Sequence, residues 1–379
     1  MATDDPTAMW RDFVGQVEGL WGRVMEGRPP GQDAEGLRYM LRYLAAGIAA
    51  CVEFDDAVHP EFGVLIENRR SWGLDCPDSK YAFTRVEPGA TYRVTGNPGT
   101  ATDLDMQIDS DHLADGRTTD WKCLERWRRG NGSLPVDASG DVSVTFTAPP
   151  DASYLHLREY FGDWEAEQPA LLHVERMDAP LPPPPLALGD MKARMELLGL
   201  WLTAGASCWA ELGRSLASGE PGPIQPFQPP EDATAMGGQA YGFGGYRCGA
   251  DEAVILEFTP PACRYWSVSL ATWFWESADI ANRQCSLNHT QASVDADGVV
   301  RIALAHPDPG TANWLDAAGH ERGTIAIRLI DADFLPEVGY RTVPLTAVAD
   351  ELGAGTVTAR QRAETLARRR RALVGRYRR

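Results

Sequence analysis

Two periodicities divide the chain. Over residues 6–27 apolar side chains recur at helical spacing (Trp10, Phe13, Val14, Val17, Leu20, Trp21 and Val24), which predicts an amphipathic helix ending at the Pro29-Pro30-Gly31 break. A second helix is predicted from Glu35 to Val58, with Leu37, Leu41, Leu44, Ile48, Cys51 and Val52 on one face. Pro60 stops it, because the residue before a proline is pushed out of the α region. From about 81 to 178 the pattern turns to strand-like runs separated by Gly96-Asn97-Pro98-Gly99 and Asn131-Gly132. Leu181-Pro182-Pro183-Pro184-Pro185-Leu186 forms a stiff extended connector. A third helix, 188–217, carries Met191, Met195, Leu198, Leu202 and Trp209, and a Pro/Gly-rich loop at 219–239 leads into strands over 241–345. A final helix covers 358–376.

The chain repeats itself. Tyr81-Ala82-Phe83, Val86 and Gly89-Ala90 return as Tyr241-Gly242-Phe243, Tyr246 and Gly249-Ala250 at a constant offset of 160. Asp137-Ala138-Ser139-Gly140 precedes Val142, Val144 and Phe146, just as Asp295-Ala296-Asp297-Gly298 precedes Val300, Ile302 and Leu304, at an offset of 158. Two matches in order indicate an internal duplication. Short turns without a βαβ rhythm point to antiparallel sheets. The expected fold is therefore α+β and β-rich: two tandem related antiparallel β-sandwich-like domains, each preceded by helix, plus a C-terminal helix. The boundaries fall at 1–180, 181–187 (connector), 188–357 and 358–379.

A length of 379 residues suits two such domains. The net charge of −17 hides an asymmetry, since residues 358–379 hold nine arginines and one glutamate, so the rest is more acidic than the total shows. An acidic body argues against nucleic-acid binding. The arginine-rich segment reads as a helix lying along the acidic body of its own chain or of a partner subunit, which would make a homo-oligomer, or as an RNA or membrane-surface arm. No apolar run approaches the about 20 residues that span a bilayer, and the N-terminus is acidic with no apolar stretch. Seven dispersed cysteines without a CxxC pair fit a reducing compartment. Together these predict a cytoplasmic protein.

Residues 241–345 carry Tyr265-Trp266-Ser267-Val268-Ser269-Leu270 after Pro260-Pro261, the polar turn Ser286-Leu287-Asn288-His289, Asp295-Ala296-Asp297-Gly298, and Asn313-Trp314-Leu315. In that order they resemble the bacterial family catalogued as domain of unknown function 1214. The resemblance implies a β-sandwich-like domain, paired with a related N-terminal domain, and no established activity.

Where the two copies differ, chemistry is expected. Helical arithmetic carries the face 37, 41, 44, 48, 51 on to Asp55, with Asp56 beside it and His59 one turn beyond. A carboxylate at an apolar position needs a partner. Asp55, Asp56 and His59 therefore read either as a catalytic cluster or as a structural lock in which a buried Arg, Tyr or backbone group holds Asp55. The pair Asp55/Asp56 would also serve a divalent metal. The second candidate is 273–291, where Trp273, Trp275 and Glu276 lead into Arg283, Asn288 and His289, the wall and floor of a substrate pocket or an ordinary capped loop. In a third stretch His156, Arg158 and Tyr160 share one face of a strand, with Arg158 a counter-ion for Asp55, a ligand clamp, or part of a surface salt-bridge strip. No GxGxxG, P-loop, HExxH or GxSxG occurs, so no organic cofactor is predicted. With twelve tryptophans available to line a cavity, the sequence reads as an enzyme acting on a small, largely apolar substrate by acid/base or elimination chemistry (hydrolase, lyase or isomerase). A non-catalytic lipid-like or carbohydrate-binding protein and an oligomeric structural protein are the alternatives.

Overall fold

The computed structural model describes residues 5–110, 121–222, 224–229, 239–352 and 357–378. Its first helix, α1 (Pro6–Met25), starts where the Asp5 carboxylate accepts from the Thr7 N–H, with proline in the first turn. Helix α2 (Asp33–Ile48) continues through a π turn at Ala49–Glu53 and leaves the helix at Phe54, five residues short of the predicted end. The predicted face is corrected as well. Gly36, Tyr39, Tyr43, Ala46 and Gly47 are buried, whereas Leu37, Leu41 and Ile48 are exposed. Aromatic stacking and close approach decide this. Tyr39 stacks on Tyr43 at 5.9 Å, and Tyr43 on the fully buried Trp201 at 4.8 Å. A Cβ on Gly47 would lie 2.5 Å from the Trp201 ring, so only glycine lets the helices meet there. Trp201 sits in a π turn, Trp201–Gly205, between α3 (Leu188–Leu200) and α4 (Ala206–Ser218).

Sixteen strands follow in chain order among the described residues. In the first half, β1 (Gly63–Ile66), β2 (Ser79–Arg85), β7 (Ala152–Tyr160), β4 (Asp103–Ser110) and β5 (Cys123–Arg128) form one sheet, in that order. It packs on the sheet β6 (Val142–Thr147), β3 (Thr91–Asn97), β8 (Leu171–Arg176) through Val94, Leu104, Met106, Val144, Leu155 and their neighbours. In the second half, β12 (Ser286–Asn288), β11 (Tyr265–Ala271), β15 (Arg322–Ile330) and β9 (Gln239–Arg247) form one sheet. It packs through Leu256, Val268, Ile302 and Ile327 on the sheet β14 (Trp314–Asp316), β13 (Val300–Ala305), β10 (Glu252–Phe258), β16 (Gly339–Pro344). The fold is thus α+β, β-rich and mainly antiparallel.

Strand order repeats. The run β2-β7-β4-β5 answers to β9-β15-β11-β12, and β6-β3-β8 answers to β13-β10-β16. The sequence matches fall on equivalent strands, Tyr81 and Tyr241 on β2 and β9, Val142 and Val300 on β6 and β13. Period-2 alternation sends one face of each larger sheet into its own sandwich. The other faces, which are polar, meet each other. Across that layer Tyr160 donates to Gln239 Oε1 (2.7 Å), Tyr265 donates to Asp78 (2.6 Å), and Arg128 joins Asp103 to Asp331 (2.5 and 2.8 Å).

Short α5 (Val348–Leu352) precedes α6 (Ala359–Arg376), which opens on a Thr358/Gln361 capping box. Arg362, Arg369 and Arg376, two turns apart, are buried against the same chain. Arg362 bonds Asp308 (2.9 Å) and the Thr311 carbonyl (2.6 Å), Arg369 bonds Ser286 (2.9 Å) and lies 4.3 Å over the Trp164 ring, and Arg376 reaches the Pro77 carbonyl (2.8 Å). This face of the arginine-rich helix is taken up within its own chain. All seven cysteines are free thiols, and no described helix is long and apolar enough to cross a membrane.

Candidate functional site

A cavity of about 440 Å³ opens between the polar face of the first large sheet, the 72–75 turn, α4, and strands β9 and β15 of the second half. Trp72, Trp209 and Trp275 supply one wall, with ring centroids 5.7 Å apart in each successive pair. Leu65, Ile66, Leu212, Leu216 and Phe243 extend the apolar lining. Tyr81, Asp105, Asp109, His156, Arg158, Tyr241 and Arg328 bring the polar groups. An apolar chamber with a few convergent polar side chains is the usual form of a small-molecule site.

His156 and Asp109 form a dyad in this wall. β4 and β7 pair so that Gln107 faces His156 across the ladder, and Asp109 lies two residues on, on the same pleat face. His156 Nδ1 makes a short contact with Asp109 Oδ2, to which Gln107 Nε2 also donates (3.2 Å). The imidazole stacks on Tyr154 within 7° of parallel. Its buried Nε2 has no partner among the described residues. Burial pushes the Asp109 carboxyl up and the His156 contact pulls it partly back. With a proton on Nδ1 directed at Asp109, Nε2 keeps its lone pair.

The copies differ at this point. By strand register Arg328 on β15 stands opposite Tyr241 as Arg158 on β7 stands opposite Tyr81, so both halves carry a Tyr–Arg pair. At the positions equivalent to His156, Gln107 and Asp109 the second half has Ala326, Ser269 and Ala271. The dyad belongs to the first copy alone.

The rim is held under backbone strain. Leu74 and Trp275 both have positive φ (53° and 59°), and the Leu74 N–H donates to the Trp275 carbonyl (2.6 Å). Asp75 fixes the same turn by accepting from Ser71 Oγ (2.5 Å) and the Ser277 N–H (2.7 Å). Next to Trp275, Glu276 is fully buried and pairs with Arg42 on α2 at 2.8 Å. Burial raises its pKa to about 7, against the lowering effect of Arg42. Between the ordinary glutamate value of 4.5 and pH 7 the folded protein holds a proton that the unfolded chain has released. The contribution of this group to stability is therefore complete below the first value and lost as pH rises through the second. Thermal unfolding followed by circular dichroism from pH 5 to 8 is expected to show a falling Tm that flattens in Glu276→Gln; an unchanged slope in the variant would assign the pH dependence elsewhere.

The sequence candidates separate in space. Arg158 and Trp275 line the cavity. Tyr160 is buried in the layer between the halves, and Trp273 is buried among the helices. Arg283 makes a surface pair with Asp316 (2.9 Å), and Asn288 donates to Asp78 (3.0 Å). His289 packs edge-on against Tyr265 at 5.7 Å. Asp56 caps the turn after α2 by accepting from the N–H groups of Val58 and His59 (2.9 Å each), and His59 Nε2 lies 2.8 Å from the Pro180 carbonyl. Among the described residues no group of three or more His, Cys, Asp or Glu side chains is placed to hold a metal ion.

Asp55 accepts from Tyr154 Oη (3.0 Å) and lies 3.6 Å from Arg85 Nε. Arg85, not Arg158, is its counter-ion, because Arg158 lies four residues further along β7 than Tyr154. Burial raises the Asp55 pKa and Arg85 lowers it. Replacing Asp55 by alanine separates lock from catalyst. The expected result is a loss of about 1–2 kcal/mol in denaturant unfolding with turnover of the folded protein retained; intact stability with lost turnover would reverse the assignment.

Sequence reasoning singled out His156 only as a neighbour of Arg158, and it passed over Asp109. The available signal was the alternation Asp105-Met106-Gln107-Ile108-Asp109, polar on one face and apolar on the other in a buried strand.

No family model and no curated protein sequence matches the chain. Among solved structures it is similar to an uncharacterized protein from Burkholderia cenocepacia, with 27% identity over 89% of this chain and 97% of that one and a TM-score of 0.82. A protein from Vibrio parahaemolyticus matches at 12% identity over 87% of this chain and 100% of that one, with a TM-score of 0.46.

Proposed function

We propose that this protein is an enzyme that transfers a proton on a small, largely apolar substrate, within the hydrolase, lyase or isomerase classes. His156 Nε2 is the base and Asp109 orients it. The observation that carries this reading is the buried dyad at the wall of a cavity with a large apolar lining, present in one copy of the duplication and absent from the other. A positioned imidazole of this kind supplies typically ~10²–10⁴-fold in rate. The indole wall favours a second reading, a small-molecule-binding protein without turnover.

One experiment separates them. A panel of small aryl esters, β-substituted acids and carbon acids is incubated with the protein in D₂O and followed by proton NMR. Conversion or deuterium uptake with wild type, lost in His156→Asn at unchanged far-UV circular dichroism, supports the enzyme. Equal rates in the variant sink it, and tight binding of panel members without any conversion supports the binding protein.

A further inference from the structure

We infer that the substrate is a singly charged aromatic carboxylate, held by a clamp that the duplication built twice. This rests on the reading of the cavity as the substrate site and adds what that site selects.

The argument turns on Arg328. Arg328 is 4% exposed and lines the cavity, yet its hydrogen-bond partners are a hydroxyl and a carbonyl, and no carboxylate lies within ion-pair distance of it among the described residues. A guanidinium has five N–H donors. Nη1 donates to Ser269 Oγ (3.0 Å) and Nη2 to the Leu74 carbonyl, so three donors remain. A buried cation with no carboxylate in contact is costly, and a ligand anion at this point would reduce that cost. The cavity's own carboxylates make their direct contacts elsewhere: Asp109 with His156, Asp105 with Arg126, and Asp75 with Ser71 and Ser277, although the Asp75 charge still acts on Arg328 from a distance.

Geometry makes this a clamp. Arg328 lies over the Tyr241 ring at 6.0 Å, and its counterpart Arg158 lies over Tyr81 at 5.5 Å. The two pairs face one chamber from equivalent positions in the two halves. Stacking on a ring holds a guanidinium plane in place, and its fork matches the planar carboxylate. Because Asp75, Asp105 and Asp109 also line the cavity, a doubly charged anion is disfavoured against a single charge. Trp72, Trp209 and Trp275 then take a flat apolar body, within a volume of about 440 Å³ that admits one ring with a side chain and leaves room beyond it.

The test uses phenylacetate and its neutral isostere phenylacetamide, each titrated calorimetrically into the full-length protein. Wild type is expected to bind the carboxylate about tenfold or more tighter than the amide, as a charge-assisted contact requires. Arg328→Met is expected to abolish that preference while holding the amide within about threefold of wild type. His156→Asn is expected to keep the preference, so loss of turnover there tests the enzyme reading and leaves the clamp standing. Equal affinity for the two compounds in wild type, absence of phenylacetate binding at millimolar concentration, or a preference that survives Arg328→Met overturns the clamp. If Arg328→Met does not fold, the wild-type comparison alone decides.

Discussion

Asparagine at position 109 is expected to lower turnover by ~10²–10⁴-fold with the fold intact. The reason is tautomeric. As a carboxylate, Asp109 can only accept, so a neutral His156 carries its proton on Nδ1 and leaves Nε2 unprotonated. An asparagine amide can donate to Nδ1 instead, which moves the ring proton to Nε2 and leaves the base without a lone pair. Stability should change little, because burial already disfavours the Asp109 charge and the amide preserves its volume. Parallel measurement of kcat and of the circular-dichroism melting curve decides the point. Wild-type kcat in Asp109→Asn would remove the dyad from the mechanism, and lost activity accompanied by a collapsed melting curve would make Asp109 a folding residue.

Removing the Asp78 side chain is expected to be the most destabilising single change, at about 3–5 kcal/mol. Asp78 is fully buried and accepts from Trp164 Nε1 (2.6 Å), Tyr265 Oη (2.6 Å) and Asn288 Nδ2 (3.0 Å). Trp164 follows strand β7 of the first half, whereas Tyr265 and Asn288 belong to the second. In Asp78→Ala the Trp164 indole N–H loses its acceptor and Tyr265 Oη keeps only its contact with Cys76 Sγ, while Asn288 Nδ2 retains the Phe161 and Gly162 carbonyls. Each donor left unsatisfied costs about 1–3 kcal/mol, and the cavity adds to it. Because the donors come from both halves, the loss should loosen their contact rather than melt one sandwich. Chemical denaturation with intrinsic tryptophan fluorescence should show a lower midpoint, together with early exposure of Trp164. A midpoint within about 1 kcal/mol of wild type would mean that water replaces the carboxylate.

The contrast between Asp55 and Asp109 shows how far a linear pattern reaches. Asp55 drew notice because it broke a helical period, but the period had already ended in the π turn at 49–53, and its partners Tyr154 and Arg85 are distant in sequence. Asp109 broke no pattern, since an alternating polar residue on a strand looks like a solvent-facing position. In this protein that face is covered by the second half, and 2% exposure turns an ordinary aspartate into a buried one.

Local patterning was enough for most of the elements and the β-rich class, because helical and strand periods and turn residues act over a few neighbours. The repeated skeleton at 81–90 and 241–250 even located the two equivalent strands, β2 and β9, that later proved to carry Tyr81 and Tyr241. The cavity was decided only by tertiary structure. It exists because two polar sheet faces are turned toward each other, which brings Arg158 and Arg328 to one chamber from positions 170 residues apart. Burial also depends on what covers a face, and a period of two identifies the face without naming its cover.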